Sequence, residues 1–522
     1  MRISINSWLT ILVVVALYLV YSFNVFSPGL YQSFSLIDDG QTIQNNFFIK
    51  ECFVEKKCED IKSVLVEKEF GRFRPAYWLI NYAIFDSVGL NPILLHQTRV
   101  YFVGTLLVIL LVVLTIKSGA NFIPTVIASI FFFTSYSFTE NIVRLGPVEP
   151  FQLLSLSVMS YFYLFGGNRK WLWIIIFYVF SSLIKETSVV ALFAILLTTW
   201  LFDKSNNGKA TSLLVFVVGF FAFFLTRLLV QPDSSSIAYS TNFKFDLRLI
   251  FINIKQYFEI LLNITSPFIK VVLIVYAFVG ILTKKIKLIK NKYFVYWFLF
   301  MLFFTGILVP WKYVLERYLL VTLFSISIVL ALFLTEIQNL VIEILVRHKL
   351  KKWLVIIFNL LFLFLLLNML SFKFSLDYPK STNYKNWYSN FLRFEADQVS
   401  AIVNTTSSRV YVGAVDSIDN WEVLYEIPIH IKFIHNRDIE IVRTDIAPKE
   451  GHVFMRTPFV NSFNHADLIS NGYIEDNRGS YEVSQIDPLK FRNSFIYRPL
   501  STLLNPPISE SKFLYTWAIY KK

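Results

Sequence analysis

The sequence predicts an α-helical polytopic membrane protein that ends in a small mixed α/β domain. Hydrophobic residues make up 55% of the chain and charged residues only 16%, against about 45–50% and about 25% in soluble globular chains. Apolar runs long enough to cross a hydrocarbon core of ~30 Å recur from Trp8 to about Phe372. From Lys373 the composition turns polar and stays so to Lys522. A transmembrane domain over 1–372 and a soluble domain over 373–522 follow from that change.

The elements can be taken in order. The first apolar run, Trp8 to about Phe26, follows Arg2 but is long for a signal peptide and lacks a small-residue cleavage site. It reads as a retained helix with a cytoplasmic N-terminus. Residues 27–91 form a large first outer loop, and further spans are expected near 95–116, 120–137, 150–165, 171–184, 188–202, 210–230, 267–283, 293–310, 318–335 and 353–372. That makes about eleven transmembrane helices, several of them short for a full crossing.

Loop charges orient them. Lys117, Arg169, Lys170, Lys204, Lys209, the cluster Lys284 to Lys292, and Arg347 to Lys352 fall on one side, and the opposite loops hold fewer cations. The positive-inside rule makes the rich side cytoplasmic. An odd span count then places the tail outside an inner (plasma) membrane. The net charge of +13, from 49 Lys and Arg against 36 Asp and Glu, is therefore read as topology anchoring rather than a nucleic-acid surface. In the tail, 409–415, 427–434 and 438–442 alternate like strands, and 388–403 has a helical pattern.

The polar residues that remain can carry chemistry. Two cysteines exclude an iron–sulfur cluster or a four-cysteine zinc site. The six histidines are scattered, and phosphate-loop and nucleophile-elbow motifs are absent. No cofactor is expected, and a divalent metal, though compatible with the chemistry, is not indicated. Asp38 and Asp39 stand just beyond the first helix, where two adjacent carboxylates beside an apolar phase suit a general base. An acidic turn or helix cap is the plainer alternative. Arg72 and Arg74 flank an aromatic residue and could grip a phosphate or anchor to lipid headgroups. Cys52 and Cys58, in the same loop, are a disulfide candidate if the exterior is oxidising, and a pair of free thiols otherwise. Arg144, Glu149, Lys185, Glu186, Glu316 and Arg317 all fall on the outer side of this topology. Lys185 with Glu186, and Glu316 with Arg317, could simply pair with each other.

Taken together, the motifs resemble a known family. Asp38, Asp39 and Asn45, then G-R-F-R-P ending in Arg74 and Pro75, an aromatic helix, and N-P-x-x-x-H made by Asn91, Pro92 and His96 resemble the GT-C membrane glycosyltransferases. Within them the likeness is to the transmembrane O-mannosyltransferases with tetratricopeptide tails and their bacterial relatives. RLGPVEP (144–150), LIKETS (183–188) and ERYLL (316–320) resemble the polar outer loops of that superfamily. The tail departs from it, because it has no helical repeats.

The resemblance implies an inverting enzyme that moves a sugar from a polyprenyl-phosphate donor to an acceptor hydroxyl of a glycan, lipid or protein. Asp38, slightly preferred, or Asp39 would act on the acceptor. Arg72, Arg74, Lys185 and Arg317 would hold the departing phosphate, with Asn45, His96, Arg144, Glu149, Glu186 and Glu316 in support. A lipid-linked glycan transporter and a membrane glycan polymerase or ligase are the alternatives. Membrane lipids are partners on any of these readings.

Overall fold

Helices form where the apolar runs lie, and polar side chains decide how they lock together. The computed structural model describes residues 5–26, 34, 39–67, 72–167, 169–230, 246–264, 288–311, 314–347, 352–413, 422–457, 464–483, 485–509 and 513–522. The span expected over 267–283 lies outside the described residues, as does Asp38.

Helix α1 (Ile5–Val25) enters the bundle through Tyr18. Its buried hydroxyl donates to the Val100 carbonyl at 2.6 Å, and its ring meets Phe133 and Phe138 edge-on. A hydroxyl in an apolar core needs such an acceptor. The stretch between α1 and the 92–117 span contains α2 (Asp39–Glu55) and α3 (Ile61–Leu65), with a disulfide from Cys52 to Cys58 closing the turn between them. A two-residue ribbon, β1 (Val66–Glu67) with β2 (Arg72–Phe73), leads into α4 (Pro75–Val88). Pro75 begins α4, where its missing N–H costs nothing, and Gly89 at φ +75° ends it.

Asn91 caps α5 (Pro92–Gln97) by accepting the Leu94 N–H at 3.2 Å. The helical path runs on through a π-helical stretch (Thr98–Val103) into α6 (Gly104–Lys117). Next come α7 (Phe122–Phe133) and α8 (Tyr136–Val143), bent by 57° at Thr134 and Ser135. Ser135 caps α8 by accepting the Phe138 N–H, which explains the break. The remaining bundle helices are α9 (Glu149–Phe165), α10 (Lys170–Ser182), α11 (Val190–Phe202), α12 (Asn206–Leu229), α13 (Leu247–Ile264), α14 (Lys292–Gly306), α15 (Leu320–Arg347) and α16 (Lys352–Val403).

Among the described residues, four helices are long and apolar enough to cross a membrane, or five if the bent pair counts as one span. The apolar helices Lys170–Ser182, Glu186–Phe202 and Lys292–Gly306 are shorter. They are joined to their neighbours by hydroxyl contacts, such as Ser160 with Tyr296 at 2.7 Å and Tyr163 with Thr199 at 3.0 Å.

Helix α16 is 52 residues long, ~78 Å at the α-helical rise. It is apolar up to Phe372 and polar beyond, so it carries the chain without a break from the bundle to the tail. The tail sheet contains β3 (Arg409–Gly413), β4 (Glu440–Thr444), β5 (His452–Thr457), β6 (Ile474–Val483) and β7 (Phe513–Lys521), in the order β4-β3-β5-β7-β6. β3 runs parallel to β4 and β5, whereas β7 is antiparallel to β5 and β6.

One sequence expectation is corrected here. Residues 427–434 are not a strand but lie in helix α17 (Ile427–His435), which provides the crossover from β3 to β4. Ile427, His430 and Ile431 are buried at helical spacing, and Pro428 sits in the first turn. A proline fits there and would remove a ladder bond from a central strand.

Lys373 and Asp377, one turn apart on α16, form a buried ion pair, and the ammonium also lies over the Phe131 ring at 4.5 Å. Removing one partner leaves a buried charge, at a cost of about 3–5 kcal/mol. Asp377→Ala should therefore lower the melting temperature of the detergent-solubilised protein markedly. The double variant Lys373→Met, Asp377→Leu should recover most of that loss.

Candidate active site

The charged residues singled out in the sequence gather at one end of the helical bundle. Asp39 follows the C-terminal end of α1; His96 and Arg99 stand at the start of the 92–117 span; Arg144 follows α8; Glu149 begins α9; Lys185 and Glu186 follow α10; Glu316 and Arg317 precede α15. Each is a helix-end position, and the alternation of the helices brings these ends together.

Arg99 organises this end. It is 3% exposed, and its guanidinium donates to the carbonyls of Leu145 at 2.9 Å, Asn141 at 3.4 Å and Pro147. It also lies over the Phe151 ring at 4.9 Å. Tyr77 donates to the Gly146 carbonyl at 2.7 Å, and His96 Nδ1 lies 3.0 Å from the Val143 carbonyl. Buried backbone carbonyls need partners, and these three side chains supply them to the segment that carries Arg144 and Glu149.

A cleft of about 440 Å³, counting the space at its mouth, opens beside Arg99. Asp39, Thr42 and Asn46 line it from α2, Asn81 and Phe85 from α4, and Leu145 and Phe151 from the opposite wall. Asp39 is fully buried at the first position of α2, where the helix dipole favours a negative charge. Asn45 is buried on the same helix, but Asn46 is the asparagine that faces the cleft.

Tyr388, on the polar half of α16, is buried beside this region, with its ring centroid 6.3 Å from that of His96. Burial, and then the charge of Asp39, push its phenol well above its ordinary pKa, so it remains a neutral donor. Among the described residues its hydroxyl has no hydrogen-bond partner.

Asn141 joins the cleft to the ionic cluster. Its carbonyl accepts from Arg99, while its side-chain nitrogen donates to the Arg317 carbonyl at 2.7 Å. In that cluster Lys185 pairs with Glu149 at 2.6 Å, Arg74 with Glu186 at 4.0 Å, Arg144 with Glu140 at 3.9 Å and Lys380 with Glu316 at 3.5 Å. Neither sequence-adjacent pair, Lys185 with Glu186 or Glu316 with Arg317, forms. Arg317 is the exception to the pairing. It contacts the Tyr318 hydroxyl at 3.2 Å and that ring at 5.1 Å. Among the described residues no carboxylate lies within ion-pair distance of it, and its Nε has no hydrogen-bond partner.

The structure thus brings together Asp39, Arg74, His96, Arg144, Glu149, Lys185, Glu186, Glu316 and Arg317. Arg72 is half-buried in the short ribbon, two residues before Arg74, and Cys52 and Cys58 sit at the far end of α2. Sequence reasoning passed over Arg99, Glu140, Asn141 and Tyr388. Arg99 lay within the motif region, three residues after His96 on the same helix face. Among the described residues no group of three or more His, Cys, Asp or Glu is placed to hold a metal ion.

No protein-family model matches the chain, and no curated protein matches it. Among solved structures it is similar to ArnT from Cupriavidus metallidurans in the apo state, at 12% identity and a TM-score of 0.45, covering 82% of this chain and 85% of that one. It is also similar to the same protein bound to undecaprenyl phosphate, at 10% identity and a TM-score of 0.45, covering 99% and 98%.

Proposed function

We propose that this chain is an integral membrane glycosyltransferase. It moves a sugar from a polyprenyl-phosphate donor to an acceptor hydroxyl at the outer face of the membrane, with inversion. The observation that carries the reading is Arg317: among the described residues no carboxylate lies within ion-pair distance of its guanidinium, in a cluster where Arg74, Arg144, Lys185 and Lys380 each have one. A half-buried arginine in that state suits a phosphate, which accepts forked, charge-assisted hydrogen bonds. The motif resemblance supports the same donor.

The acceptor oxygen attacks the anomeric carbon from the face opposite the phosphate. The bond from that carbon to the phosphate oxygen breaks, and its electron pair stays on the phosphate, where Arg317 and Lys185 stabilise the charge. The hydroxyl proton passes to a carboxylate, Asp39 in the cleft or Asp38 beside it in sequence. Phosphate is already a good leaving group, so no strong general acid is needed. A metal has no step in this scheme.

One observation favours a transporter as the second reading: the bent α7–α8 pair, since broken helices mark many transport sites. Transport sites, however, lie near the midplane between repeats. Here the charges gather at the bundle end, which fits chemistry on a lipid headgroup better. By the positive-inside rule, the basic loops support a cytoplasmic position for the opposite end and an outer one for the tail domain, 373–522.

Two tests follow. Asp39→Asn, nearly isosteric, should abolish formation of the envelope glycan that disappears when the gene is deleted, as read by mass spectrometry. Expression and melting temperature should stay near wild type. Arg317→Ala should weaken binding of undecaprenyl phosphate to the purified protein about 10- to 100-fold, the worth of a charged hydrogen bond, and Arg317→Lys should fall between. Unchanged binding with a lowered melting temperature would make Arg317 structural. For the topology, protease added to intact spheroplasts should cut within 373–522 while a cytoplasmic control survives. Full protection of the tail would reverse the orientation.

A further inference from the structure

The tail domain reaches into the candidate site through one carboxylate. Glu426 ends the helical turn before α17 and is fully buried. Its Oε2 accepts the backbone N–H of Gly40 at 2.6 Å, and Gly40 directly follows Asp39. One turn on, His430 Nε2 lies 3.9 Å from the same oxygen. Farther along both helices, Phe433 stacks on Phe47 at 5.1 Å and meets Phe48 edge-on at 6.1 Å. α17 and α2 therefore share an interface with an aromatic stack in its middle and a charged hydrogen bond at its site end.

The aromatic stack alone would dock the tail. The carboxylate is a costly addition, because burying it sacrifices its hydration and places a second negative group at a helix start already occupied by Asp39. What it supplies is specific. It satisfies one of the orphan N–H groups in the first turn of α2 and is favoured by the helix dipole. It also fixes the peptide that sets the direction of Asp39. Gly40 is matched to the contact, since a Cβ there would collide with the Glu426 carboxylate.

We propose that Glu426 is a positioning residue for Asp39: the tail domain holds the start of α2 so that Asp39 faces the cleft. The proposal rests on the transferase reading for its activity readout. Its prediction is that Glu426→Ala lowers formation of the deletion-sensitive glycan about 10- to 100-fold, the effect of a misplaced catalytic group. Binding of undecaprenyl phosphate should stay within about threefold of wild type, because Arg317 is untouched. Glu426→Gln, which keeps an acceptor oxygen, should restore most of the activity. Gly40→Ala, which displaces the carboxylate, should reproduce Glu426→Ala, and the double variant should be no worse than either single, since both remove one interaction. Phe433→Ala should lose far less activity than Glu426→Ala.

Wild-type glycan levels in Glu426→Ala, losses that multiply in the double variant, or an equal loss in Phe433→Ala would each overturn the proposal. If deleting the gene removes no glycan, the transferase reading has failed by itself. The contact is then judged by hydrogen exchange of the full-length protein. Faster exchange at Gly40 in Glu426→Ala, but not in Phe433→Ala, upholds the hold on α2; unchanged exchange rejects it.

Discussion

The burial of Arg99 is the constraint on which the bundle end depends. A guanidinium cannot be deprotonated to escape a dry site, so the fold must surround it with acceptors. It does so with carbonyls of Asn141, Leu145 and Pro147, all within one short segment. α8 ends at Val143, so the carbonyls of its last turn and those of Leu145 and Pro147 have no partner within the helix. The proline and glycine of RLGPVEP suit the open backbone that results. Once the segment is held, Arg144 and Glu149 are placed, Glu149 fixes Lys185, and Lys185 lies over Tyr318 at 4.9 Å beside Arg317. A single buried cation thus stands at the head of a row of charges drawn from three other stretches of sequence.

The pairing pattern follows from backbone geometry. Lys185 is extended, at φ −153° and ψ 127°, so its side chain and that of Glu186 leave the backbone in different directions. Lys185 turns to Glu149 and Glu186 to Arg74. Glu316 likewise turns to Lys380 on α16 while Arg317 turns to Tyr318. Neighbours in sequence are poorly placed to pair in such segments, so charge couples elements instead of closing local loops. Within that cluster Arg74, Arg144, Lys185 and Lys380 each have a carboxylate, and among the described residues Arg317 has none within ion-pair distance.

Much of this was legible in the sequence because hydrophobicity and charge are local properties. The apolar runs mark α1, the 92–117 span, α12 and α15, and the charged residues between runs fall at helix ends by necessity. Expectations failed where the deciding partner was remote. Residues 427–434 alternate like a strand, yet they fold as α17 because Ile427 and Ile431 face the helix and sheet of the tail core while Phe433 faces α2. Nothing within those eight residues specifies that second surface. Arg99 resembles an ordinary interfacial arginine until the segment 141–147 is folded over it. Glu426 is unremarked in sequence because its partner, a backbone amide, has no side-chain signature at all.

That last case bears on how the two domains share the work. The cleft is lined by α2 and α4 and by Leu95, Thr98 and Arg99 of the 92–117 span, and the tail contacts α2 through Glu426 and Phe433. α16 enforces the arrangement: one continuous helix joins bundle to tail, carrying Lys373 and Asp377 against Phe131 in its bundle half and Tyr388 near Asp39 farther on. That helix, with Pro379 inside it, joins the tail to the bundle, and the Phe433 stack and the Glu426 hydrogen bond join the tail to α2. A shift of the tail relative to α2 would break these contacts. The tail therefore touches the candidate site directly, through the hydrogen bond from the Gly40 N–H, next to Asp39, to Glu426.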